Sequence, residues 1–149
     1  MKKEIDGFEF RNYGSIRILG FGCYSKGASF EDMLGKVIVD IKGAEKDSDF
    51  ILFTLDDGTR YLMYHEQDCC ENVFVEDICG NINKLLGVPI LKAECTTNIG
   101  ETALDFYHSC TWTFYHLATV KGYVDIRWYG ESNGYYSETV DFVELPKIN

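Results

Sequence analysis

Two prolines, Pro89 and Pro146, are all that the 149-residue chain contains, and its 14 Lys and Arg stand against 24 Asp and Glu. The formal charge is −10. No basic run occurs, so free nucleic acid is a poor partner, because neutralising phosphates needs clustered Lys and Arg. No apolar stretch approaches the roughly 18 residues that a membrane helix requires, so no membrane association is expected. The N-terminus, MKKEIDGFEF, lacks the apolar core of a secretory signal, and a cytosolic location is expected. No CxxC pair is present. With no secretion signal, the six cysteines do not argue for a disulfide framework. Cys23, Cys79, Cys95 and Cys110 are expected to act as small buried hydrophobes.

What is present suits one folded domain over 1–149. Hydrophobic residues make up 46% and aromatics 15%, too much for a disordered chain. Most segments read as strands separated by short turns. In KVIVDIKG (36–43), Val37, Val39 and Ile41 alternate with Asp40 and Lys42. DFILFTL (49–55) is almost wholly apolar, as in a strand covered on both faces. Asp57-Gly58 marks a tight hairpin into RYLMYHEQ (60–67). SFEDML (29–34) suggests a helical turn with a Ser29/Asp32 capping box, and GNINKLLG (80–87) a short two-turn helix. Residues 111–120, 122–130 and 135–145 suggest three successive antiparallel strands. The expected fold class is therefore α+β: mainly antiparallel β, a meander closing into a curved sheet or barrel, with one or two short helices.

Two stretches are dense in chemistry. The first, YHEQDCCE (64–71), places His65, Glu66, Asp68, Cys69, Cys70 and Glu71 just after an apolar strand. Zinc would accept His65, Cys69 and Cys70, with Cys95, His108 or Cys110 as a fourth ligand. Adjacent cysteines in a strand point to opposite faces, which counts against that site. A cysteine nucleophile paired with His65 would be hindered by Glu66, Asp68 and Glu71, whose charges raise a thiol pKa. The glutamates could also act as general acid and base. The remaining reading, and the one these residues favour, is a structural corner with a half-buried histidine. No metal and no cofactor are expected.

The second stretch, RWYGESNGYYSE (127–138), loads a Ser-Asn-Gly turn with rings. A ring-stacking pocket would use Trp112, Tyr115, Arg127, Trp128, Asn133, Tyr135, Tyr136 and Glu138. Strand parity places Glu138 with Val140 and Phe142, so a buried carboxylate is expected to need a partner, with His116, His65 or Arg127 as candidates.

HEQDCCE (65–71), TWTFYHLATVKG (111–122) and RWYGESNGYYSE (127–138) together resemble a family of small phage and prophage proteins of unknown function. The resemblance covers roughly residues 30–145, and residues 1–29 share less of it. It implies an accessory protein made in a bacterial host cytosol, and it implies no enzyme. Such a protein would block a host or defence factor by protein–protein contact, for instance by offering an acidic face to a nucleic-acid-binding enzyme. Alternatives are a nucleotide-sequestering protein, or a metal- or cysteine-dependent enzyme centred on HEQDCCE. Sequestering a nucleotide would need cations near phosphate, and only Arg60, Lys84, Lys92 and Arg127 are candidates.

Overall fold

A computed structural model describes residues 3–5, 8–10, 16–18, 26–66, 70–100 and 109–145. Three short strands, β1 (Lys3–Ile5), β2 (Phe8–Phe10) and β3 (Ile16–Ile18), pair in chain order as an antiparallel ribbon. A five-stranded sheet follows. It is built from β4 (Lys26–Gly27), β5 (Ile38–Lys42), β6 (Phe50–Leu55), β7 (Arg60–Tyr64) and β12 (Asp141–Leu145), in the order β4-β12-β7-β6-β5. A four-stranded sheet contains β8 (Asn72–Cys79), β9 (Lys92–Gly100), β10 (Ser109–Thr119) and β11 (Gly122–Ser132), in the order β8-β11-β10-β9.

The two larger sheets face one another across a shared core. Ile51, Phe53, Tyr61 and Met63 from one sheet meet Val75, Leu117, Val124, Ile126 and Trp128 from the other. Trp128 is fully buried, and its indole N–H donates to the Met63 sulfur at 3.0 Å, so one polar atom of a large ring is satisfied inside the core. GYVDIRWYG alternates as a strand covered on one face does: Val124, Ile126 and Trp128 point inward while Asp125, Arg127 and Tyr129 point out. β6 and β7 are apolar on both faces because the far side of their sheet is buried too, as Phe50, Leu52, Leu62, Tyr64, Val143 and Leu145.

The α+β expectation is overturned. The described chain is essentially all-β, and its only helical pieces are 3-10 turns at Phe30–Met33 and Ile82–Leu85. Both segments are too short to accumulate i→i−4 bonds. At the first turn the Ser29 N–H does donate to Asp32 Oδ2 at 3.0 Å, so the capping signal was real but capped only one turn. Nor do the described residues form a closed barrel. The three C-terminal strands are not a meander: β10 and β11 pair along their whole length, but β12 leaves for the other sheet and pairs with β7 and β4. In β5 the register shifts between Ile38 and Asp40, so Ile38 is buried and Val39 is 51% exposed, the reverse of the simple alternation.

Among β4–β12 the chain passes between the two large sheets twice, from β7 to β8 and from β11 to β12. β7 pairs with β12 and β8 pairs with β11, so the two passages lie side by side. They are residues 65–71 and 133–140, the two chemically dense stretches. At the far edge the residues before β5 meet those before β9 through backbone bonds: Gly35 N–H to Ile90 O (2.8 Å), Ile90 N–H to Lys36 O (2.8 Å) and Gly87 N–H to Ile38 O (2.9 Å). No helix among the described residues is long and apolar enough to cross a membrane.

Candidate functional site

The first passage is a closed polar corner. His65 is 8% exposed, and its Nδ1 donates to the Thr139 carbonyl oxygen at 2.7 Å. That bond places a proton on Nδ1, because a carbonyl can only accept. Nε2 then faces Glu71 Oε2 at 3.6 Å, with both side chains almost wholly removed from solvent. This is ion-pair distance, longer than a hydrogen bond. Beside it, the Glu66 N–H donates to Asp141 Oδ2 at 2.9 Å, and the Tyr64 hydroxyl donates to Glu66 Oε2 at 2.7 Å. Burial, reinforced by Glu66, pushes the Tyr64 hydroxyl well above the ordinary tyrosine range. HEQDCCE thus touches the strand that follows SNGYYSE.

Cys70 is disulfide-bonded, although the sequence does not argue for a disulfide framework, and its partner lies outside the described residues. Asp68 and Cys69 also lie outside them, as does Cys23. Among the described residues Cys79, Cys95 and Cys110 form no disulfide; Cys110 is buried as expected, whereas Cys79 and Cys95 are exposed. No cluster of three metal-ligating side chains occurs among the described residues.

The second passage centres on Glu138, 7% exposed. Its partners are hydroxyls, not the cations anticipated. Thr111 Oγ1 donates to Oε1 at 2.7 Å, Ser109 Oγ to the same oxygen at 3.3 Å, and Ser132 Oγ donates to Oε2. The paired strands explain the convergence. Ser109 sits opposite Ser132 and Thr111 opposite Gly130, so three hydroxyls gather on one side of the β10–β11 ladder. The chain at Glu138 lies directly over Gly130, where a Cβ would come within 2.6 Å of the Glu138 carbonyl oxygen. Residues 133–140 are not strand, so the parity argument for Glu138 fails even though the residue is buried.

The eight residues of the expected ring pocket do not form one site. Tyr115 and Trp128 point into the core. Asn133 and Tyr135 are exposed on the turn, where Asn133 Oδ1 accepts from the Tyr135 N–H at 3.0 Å and the Tyr135 and Tyr136 rings meet edge to face at 5.1 Å. Glu138 is sealed in its hydroxyl nest. Only Trp112 and Arg127 share a surface.

That surface is the outer face of the four-stranded sheet. Trp112 lies opposite Tyr129 across β10–β11, and Tyr129 lies opposite Phe74 across β11–β8. Their rings form a half-exposed row, with centroids 4.6 and 5.8 Å apart. The Arg127 guanidinium stands 5.3 Å from the Trp112 ring centre and is held by Glu76 at 2.5 Å, with Asp77 at 3.8 Å. Tyr129 donates to Glu131 at 3.0 Å; burial first, then Glu131, pushes its hydroxyl up to about 12. Two rows along the same face, past Phe114 and Arg127, His116 Nδ1 lies 2.7 Å from Asp125 Oδ1 and its Nε2 lies 3.3 Å from Thr96 Oγ1, an acid–imidazole–hydroxyl chain across three strands. β10 is paired on both sides, so its amides are committed to the ladder and cannot serve an oxyanion. Sequence reading missed Phe74, Glu76, Thr96 and Asp125. Period-2 parity marked Asp125 as outward, but its neighbours depend on cross-strand register.

Fold and site together define a two-sheet antiparallel β protein with a sealed polar corner and an open aromatic, acidic sheet face. The chain belongs to the family described as Domain of unknown function (DUF7448), which it matches over residues 31–142. No curated protein and no solved structure matches it.

Proposed function

We propose that this is a phage- or prophage-encoded acidic binding protein that inhibits a bacterial host or defence factor by protein–protein contact. The observation that carries the reading is the outer face of the four-stranded sheet, where half-exposed Trp112, Tyr129 and Phe74 are flanked by carboxylates. Aromatic rings on an open face are characteristic anchors of protein interfaces. The −10 charge suits a basic partner, such as a nucleic-acid-binding enzyme. The phage origin rests on the resemblance of the HEQDCCE and SNGYYSE motifs.

The alternatives lose ground. A nucleotide sponge needs cations for phosphate, and Arg127 is already held by Glu76 and Asp77. A cysteine or metal enzyme at HEQDCCE needs a thiolate and an accessible imidazole. Cys70 is in a disulfide, and the His65 side chain is 3% exposed.

The test is expression of the protein in bacteria that restrict phage. Plaquing should rise in at least one defended host, and a purified host protein should bind the chain directly. Unchanged plaquing in every defended host, with no effect on host growth, would remove the reading.

A further inference from the structure

We propose that the outer face of β8-β11-β10-β9 takes an extended, arginine-bearing basic segment of the partner protein. The inference rests on the binding-protein reading above and names the chemistry its surface recognises. Charge complementarity carries it. The carboxylates on this face are Glu76, Asp77, Glu94, Asp125 and Glu131. Among the described residues the cations on this face are Lys92 and Arg127, and each lies against a carboxylate, Lys92 with Glu94 at 3.6 Å and Arg127 with Glu76. The surface is therefore net negative around an apolar row.

The row has a direction. Trp112, Tyr129 and Phe74 run across three strands, about 10 Å at ordinary strand spacing. Phe74 also lines a groove of about 540 Å³ whose walls carry three carboxylates, Glu45, Asp47 and Asp49, and one cation, Lys46. A chain lying across the strands would pass from rings to carboxylates in one step.

Arg127 already makes the proposed contact within the molecule. Its guanidinium sits over Trp112 while Glu76 holds its edge. A second guanidinium over Tyr129 or Phe74, with Glu131 beside it, would repeat that geometry. Arginine fits better than lysine because its planar, weakly hydrated group stacks on rings and still pairs with carboxylates. A nucleic acid segment is disfavoured because its phosphates would meet the carboxylates.

The experiment titrates oligo-arginine, oligo-lysine and oligo-glutamate peptides of equal length into the full chain, followed by 1H–15N spectra. Trp128 is fully buried, so the Trp112 indole is the one that should respond. Oligo-arginine should shift Trp112, Tyr129 and Phe74 and bind at least about fivefold tighter than oligo-lysine. Oligo-glutamate should not bind. Trp112→Ala and, separately, Glu131→Gln should each weaken binding severalfold with an unchanged melting temperature. Equal binding of the two basic peptides, or full binding by both variants, would overturn the assignment. The two readings fail separately. If Trp112→Ala inhibits a host factor as well as the parent does, the surface assignment falls and the binding function stands. If oligo-arginine binds here while no host effect exists, the function falls and the surface stands.

Discussion

His65 and Thr139 are 74 residues apart in the chain, yet the imidazole Nδ1 lies 2.7 Å from the Thr139 carbonyl oxygen. This bond ties the first passage between the sheets to the second, and it leaves His65 Nε2 facing the buried Glu71. His65→Ala removes the imidazole beside that carboxylate and leaves the Thr139 carbonyl without its donor. The expected cost is about 1–3 kcal/mol, the range for leaving a buried hydrogen-bonding group unsatisfied. Urea unfolding measures it, and a loss below about 1 kcal/mol would mean that the corner does not hold the sheets together.

Glu138 is held by hydroxyls alone, and that makes a graded series informative. Thr111→Val removes one donor to a carboxylate and should cost about 1.5–3 kcal/mol. Gly130→Ala should cost about 1–3 kcal/mol for a different reason, because its Cβ would press on the Glu138 carbonyl at 2.6 Å. Parallel melting curves for the two variants would check both. A neutral Gly130→Ala would show that the 133–140 passage can lift off β11.

Alkali should destabilise the fold through tyrosine. Burial raises the hydroxyls of Tyr64 and Tyr115, and burial with Glu131 pushes Tyr129 up to about 12 from an ordinary 10.0. A raised folded-state value favours the neutral form in the native protein. The associated stability is therefore complete below pH 10 and is lost as pH rises through about 12. Absorbance at the phenolate band should show part of the chain's 10 tyrosines ionising late, together with loss of the β-sheet dichroism signal. Ionisation of all of them near 10 in a still-folded protein would contradict this placement.

Thiol mapping separates Cys79, Cys95 and Cys110, which form no disulfide. Cys79 and Cys95 are exposed and should be alkylated in the native protein, while buried Cys110 should wait for unfolding. Cys95 should react more slowly than Cys79, because burial raises its thiol despite hydrogen bonds with Tyr115 and Thr97 that lower it. Peptide mass mapping after timed alkylation reads the order directly. Early labelling of Cys110 would place it at the surface.

The strands were largely legible because their signals are local. Val124, Ile126 and Trp128 alternate with polar neighbours, and Phe50–Leu55 is apolar but for Thr54, so each strand announced itself. Partners were not legible. The hairpin turn lies at Val120-Lys121, with Thr119 opposite Gly122, one residue off the connection implied by strands at 111–120 and 122–130. A shift of that size changes every cross-strand neighbour. The helix expectations failed because Ile82, Leu85 and Leu86 satisfy a helical stripe, but the segment is only one 3-10 turn long. At the candidate site, burial of Glu138 was anticipated but its serine and threonine partners were not, since they come from strands on either side of a hairpin. The collapse of the ring pocket has the same origin: Trp112 and Tyr115 lie three residues apart and therefore on opposite faces of β10.

The two side-by-side passages make one edge of the sandwich a covalent spine, while the far edge is fastened by the three backbone bonds between 35–38 and 87–90. The sheets are therefore bound like the covers of a book, hinged on one side and clasped on the other. Breathing motions should begin at the clasp, so the amides of Gly35, Gly87 and Ile90 should exchange with solvent long before those of β7 and β11, which lie along the hinge.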